Sequence, residues 1–155
     1  METPSFTFPL ERVRSLRERA EERAREALSN ELRARDERAD ALRAAEDAVD
    51  SARSATRDAV AGGRMTSAET LRSLQGFIER REQLRAEASL NLDRQEAEVA
   101  VSRERLAAAA RDRQAIDKLK ERRKAEHEAE WALKIQNQLD ELALAVHRRG
   151  GAVAA

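Results

Sequence analysis

From Leu10 to about Ala61 the chain runs without a glycine or a proline, and Val13, Ala20, Ala27, Ala34, Ala41, Ala48 and Ala55 recur at a strict interval of seven. That interval predicts one long helix with a narrow apolar seam. A second line, Leu28, Leu42 and Val49 with Leu32, Ala39 and Val60, lies beside the first and widens the stripe toward the far end of the helix. Gly62-Gly63 interrupts the pattern, and Thr66-Ser67-Ala68-Glu69 after it reads as a capping box that opens a second helix. Leu71, Leu74, Ile78, Ala88, Leu92, Val99, Leu106, Ala109 and Ile116 follow at steps of three and four, with nothing to stop the helix before Gly150-Gly151.

These elements predict an all-α fold: two long helices in an antiparallel coiled-coil hairpin, the second longer and overhanging. Residues 1–9 form an extended N-terminal tag, and Pro9 suits a first helical position because no amide hydrogen is missed there. Residues 10–149 form a single hairpin with a helix over 10–61, a turn at 62–66 and a helix over 67–148; residues 150–155 form a flexible tail. The helices differ in length, roughly 50 residues against roughly 80, or about 80 Å against about 120 Å at the rise of an α-helix. A reversal near Arg64 sets residue i of the first helix opposite about 128 minus i of the second, so Leu10 lies beside Lys118 and everything after about Lys120 overhangs. The overhang begins with a nearly all-polar stretch, Glu121 to Glu130, and turns apolar at Trp131, Leu133, Ile135, Leu139, Leu142, Leu144 and Val146. An isolated amphipathic helix cannot bury such residues against itself, so the expected cover is another protein. The alternatives are that the Phe6 and Phe8 segment folds back over part of the stripe, or that two chains pair through it.

Composition narrows the function. Of the 155 residues 39% are charged and 3% aromatic, while much of the 41% hydrophobic fraction is alanine, too small to fill a wide core. Acids and bases balance at 30 each, which leaves no sustained positive field for a nucleic acid backbone. The clusters Arg12, Arg14, Arg17, Arg19 and Arg122, Arg123, Lys124 read as solvated faces carrying ion pairs one turn apart. No run approaches the ~18 apolar residues of a membrane span, and no secretory apolar core opens the chain. Even acid and base content also disfavours a helix lying in a lipid surface. The expectation is a soluble, cytoplasmic protein, and the absence of cysteine agrees with a reducing compartment.

Catalytic and cofactor chemistry finds no foothold in the residues. There is no glycine-rich phosphate loop. His127-Glu128-Ala129-Glu130-Trp131 breaks the zincin pattern at its second histidine, and Lys124 and Leu144 stand where di-iron helices need an acid before His127 and His147. A two-helix rod also offers no concave site from which a nucleophile could exclude water. The sequence predicts a non-enzyme with no metal and no cofactor.

The beginning, Phe6-Thr7-Phe8-Pro9-Leu10-Glu11-Arg12-Val13-Arg14-Ser15-Leu16-Arg17, and the end, Leu139-Asp140-Glu141-Leu142-Ala143 followed by Arg148-Arg149, resemble the FliJ/YscO family of coiled-coil proteins in flagellar and virulence type III export. The resemblance covers nearly the whole chain. It implies a stalk similar to the central stalk of rotary ATPases, which binds a hexameric export ATPase through its helix ends and the large cytoplasmic component of the export gate through a mid-hairpin face, and which also meets export chaperones. Carried onto this chain, the ATPase-binding residues are Phe6, Phe8, Leu10, Trp131, Ile135, Leu139, Asp140, Glu141 and Leu142, and the gate-binding residues are Phe77, Leu84 and Ala88. Arg81 interrupts the gate stripe, and the family's aromatics late in the first helix are missing, since the chain has no tyrosine. The resemblance also implies a place at the inner membrane held through partners alone. The rival reading is a self-associating structural coiled coil with no ATPase partner.

Overall fold

The computed structural model describes residues 5–63 and 67–151. The start of the tag (1–4), the middle of the expected turn (64–66) and the end of the expected tail (152–155) lie outside the described residues. Two helices account for almost all of the rest: α1, Glu11–Ala61, of 51 residues, and α2, Ala68–Gly151, of 84 residues. They pack against each other as a coiled-coil hairpin.

Each described helix end has a local cause. Ahead of α1 the chain turns at Pro9 and Leu10, with the Glu11 N–H donating to the Phe8 carbonyl at 3.3 Å and the Arg14 N–H to the Leu10 carbonyl at 2.9 Å. Glu11, in the first turn, places a negative charge at the positive end of the helix dipole. At the other end the Gly62 N–H donates to the Asp58 carbonyl at 2.9 Å and the Gly63 N–H to the Val60 carbonyl at 3.2 Å. Gly63 has φ of 66°, a left-handed conformation that costs glycine nothing and a residue with a Cβ over 1 kcal/mol, roughly. The opening of α2 differs from the expected capping box. Ser67 is the cap, its Oγ accepting from the Glu69 N–H at 3.3 Å, so Glu69 sits one position too early to reach back as a box requires.

The chain divides into two compact units, residues 21–108 and residues 1–20 with 109–155. In the first, the covered positions of α1 run Glu21, Leu28, Arg35, Leu42, Val49, Thr56 and, three residues after most of these, Ala24, Glu31, Ala45, Ala52 and Ala59. This is a heptad seam displaced by one residue from the expected alanine line. Ala27, Ala41 and Ala55 of that line are exposed, and Ala34 and Ala48 are half-buried. The reason is size: the register that covers Leu28, Leu42 and Val49 removes more apolar area from water than one centred on alanine methyls. From α2 the seam receives Leu74, Ile78, Ala88, Leu92, Gln95, Val99, Ser102 and Leu106, all buried or half-buried, whereas Leu71 is exposed. Arg53 to Glu82 at 2.5 Å brackets one flank of this pair of helices.

The second unit holds the start of α1 against the later part of α2. Glu11 pairs with Lys120 at 2.8 Å, Arg14 with Asp117 at 2.7 Å and Arg17 with Asp112 at 2.8 Å, an antiparallel ladder close to the expected alignment. Arg14 also meets Glu18 at 2.8 Å. Lys120 holds the Glu11 carboxyl below its ordinary range, the Arg14 guanidinium does the same to Asp117, and Asp117 in turn raises Arg14. A carboxylate whose folded value is depressed stabilises the fold above its unfolded value and loses that contribution as pH falls through the depressed one. Melting temperature is therefore expected to drop below about pH 4, and the double variant Glu11→Gln, Asp117→Asn should flatten that drop. Thermal melts followed by circular dichroism along a pH series check this.

Candidate functional site

Beyond Lys120, α2 has no helix beside it to cover its apolar residues, and what lies against it first is the segment ahead of α1. Phe8 is buried, at 6% exposure, with the Lys120 ammonium 6.0 Å from its ring centroid. Phe6 stacks at a tilt on His127, ring centroids 5.6 Å apart, and on Phe8 at 6.5 Å. Together with Pro9 and Leu10 these rings form an open groove against Leu119, Arg123, Glu126, His127 and Glu130. Residues 6–10 thus lie over the polar stretch and share a groove with it as far as Glu130. Of the aromatic pair, Phe8 is committed to its own chain, Phe6 is half-buried, and Leu10 is 36% exposed. Sequence reasoning missed His127 as the seat of Phe6, since a contact between residues so far apart leaves no local signal.

Past Glu130 the apolar residues of α2 sort into two faces by helical spacing. Trp131, Ile135, Leu139, Leu142 and Val146 recur at steps of four, four, three and four, which is one continuous stripe. Leu133 and Leu144 fall on the opposite side, so the overhang presents a narrower face than the run of names suggests. Trp131 and Ile135 are half-buried, while Leu139 and Leu142 are each 60% exposed and Val146 is 70% exposed. Asp140 and Glu141 are exposed; by helical spacing Asp140 falls on the Leu133 and Leu144 side and Glu141 to one side of the stripe.

Phe77, Leu84 and Ala88 lie within about 40° of one another around α2, Phe77 and Leu84 exposed and Ala88 half-buried at the adjoining seam position. Arg81 does not simply interrupt the line: its guanidinium lies 5.0 Å from the Phe77 ring centroid, a cation–π contact that makes the pair one amphipathic patch. The basic clusters are largely engaged in ion pairs. Arg122 and Arg123 reach Glu126 and Lys124 reaches Glu128, as Arg14 and Arg17 reach the acids named above. Among the described residues no three histidine or acidic side chains gather to hold a metal ion, and no helix is long and apolar enough to cross a membrane.

Two packed helices of unequal length, with apolar residues left exposed along them, define a coiled-coil protein. The family described as Flagellar FliJ protein matches residues 6–152, so the chain belongs to the FliJ family. That family consists of structural coiled-coil proteins, not enzymes, and it makes this chain a component of the flagellar export apparatus. Nothing matches among curated proteins or among solved structures.

Proposed function

We propose that the protein is a stalk that binds the hexameric export ATPase through the overhang of α2 and links it to the cytoplasmic component of the export gate. The observation that carries the reading is the exposure of Leu139, Leu142 and Val146, which continue the stripe that Trp131 and Ile135 open. An apolar face of this kind is stabilised when a partner removes it from water, and an aromatic anchor among aliphatics commonly dominates such an interface. Membership of an export family supports an export component as that partner. Phe6, the exposed part of Leu10 and Glu141 extend the surface, Asp140 would meet the partner from the far side of α2, and Phe8 acts behind as the residue that seats the tag.

The gate reading rests on Phe77 and Leu84, with Arg81 over the Phe77 ring as a polar handle and Ala88 supporting the line from the seam. Export chaperones are further candidates for the same exposed faces. In this scheme the protein works in the cytoplasm and meets the inner membrane through the gate alone. Full-length protein mixed with the ATPase is expected to co-elute on size exclusion and to change its rate of ATP hydrolysis. Separate elution with an unchanged rate would sink the proposal. Sedimentation at graded concentrations tests the rival: a tight dimer formed through the same stripe would make the protein a self-associating coiled coil.

A further inference from the structure

The seam of the 21–108 unit alternates alanines with larger aliphatics, and its alanine positions are poor judges of alignment. Ala24, Ala45, Ala52 and Ala59 of α1 and Ala88 of α2 occupy covered positions, so sliding one helix past the other by seven residues often exchanges alanine for alanine or for leucine. Antiparallel coiled coils with such seams need another device to fix their register. Within this seam Glu31 and Gln95 form a polar pair that reaches across it. Gln95, 5% exposed, donates from Nε2 to the main-chain carbonyl of Glu31 at 3.2 Å and to the Glu31 carboxylate at Oε2. Arg35, one turn along from Glu31, has its Nε buried without a hydrogen-bond partner, and Ser102, one heptad along from Gln95, is 6% exposed.

We propose that the Glu31–Gln95 layer is the register key of the hairpin: a buried polar contact that lowers stability relative to an apolar pair and in exchange admits a single alignment of α1 with α2. A slip of one heptad in one direction sets Gln95 against Ala24 and Glu31 against Ala88, leaving an amide and a carboxylate in the seam with no partner. A slip in the other direction sets Gln95 against Arg38, and either slip parts Arg53 from Glu82. The apolar residues set a softer penalty, because a leucine shifted along the seam loses packing contacts but leaves no polar group unpaired. A single polar residue at a seam position is the best-attested way for helices to select one pairing among several.

The chain has no cysteine, so introduced pairs report alignment cleanly. Glu46 and Ser89 line one groove, and Glu46→Cys with Ser89→Cys reports the observed register. Glu46→Cys with Glu96→Cys, or Ala39→Cys with Glu82→Cys, reports a slip of one heptad in either direction. The parent protein is expected to close the first disulfide only. A background of Glu31→Leu with Gln95→Leu is expected to melt several degrees higher and yet to close a slipped pair or to join separate chains. Should the leucine pair misfold, Glu31→Ala with Gln95→Ala removes the layer without adding bulk and is expected to slip likewise. The conservative Glu31→Gln background keeps a hydrogen-bonded pair and should stay in register. Closure of the first disulfide alone in the leucine or alanine background, slip in the glutamine background, or a lower melting temperature for a folded leucine variant would each overturn the proposal.

Discussion

Replacing Leu139 and Leu142 together with aspartate is expected to abolish capture of the protein by the export ATPase while leaving its helix content and melting temperature unchanged. Both leucines are 60% exposed, so the folded chain loses no packing when they are changed. The cost falls on the complex. Each leucine withdrawn from a buried interface forfeits about 1.5 to 3 kcal/mol of apolar burial, and a carboxylate forced into its place adds a desolvation penalty of a similar size or larger. A combined loss above roughly 4 kcal/mol corresponds to about a thousandfold in affinity. Titration calorimetry against the ATPase measures this directly. Leu133→Asp supplies the control, since it places the same chemistry on the opposite side of the same helix. Equal loss from both, or affinity kept within about twofold in the double variant, would remove the overhang stripe from the proposed interface.

Val99→Asp is expected to melt the 21–108 unit at moderate temperature. Val99 is 5% exposed and Val49 is 3% exposed; with Ala52 they are the only apolar residues of that unit, among those described, that are buried outright. A carboxylate at such a site costs about 3 to 5 kcal/mol, which is a large share of the 5 to 15 kcal/mol that folded chains typically hold. A seam this thin has little reserve. Val101→Asp makes the same chemical change two residues further on, at a site 43% exposed, and is expected to stay within about 0.5 kcal/mol of the parent. Denaturant melts followed by far-ultraviolet circular dichroism separate the two. Equal destabilisation by both changes would mean that the helix pair does not draw its stability from the seam.

The sequence by itself determined that there are two helices, how unequal they are, and where an uncovered apolar face remains. Those features rest on local chemistry: a long run free of glycine and proline, a glycine pair that stops it, and helical spacing that does not depend on any distant residue. The flagellar family was legible as well, through the Phe6-Thr7-Phe8-Pro9-Leu10 start and the Leu139-Asp140-Glu141-Leu142 finish. Tertiary structure alone decided which of two adjacent heptad lines became the seam, because an interval of seven fits both and only the facing helix selects the bulkier Leu28, Leu42 and Val49. It also decided that Ser67 caps α2, that Ala88 is half-buried where Phe77 and Leu84 are exposed, and that Gln95 lies on Glu31. The folding of Phe6 and Phe8 onto Lys120 and His127 belongs to the same class. Each of these is a contact between segments far apart along the chain, and its free energy depends on what lies opposite, which periodicity within one helix does not encode.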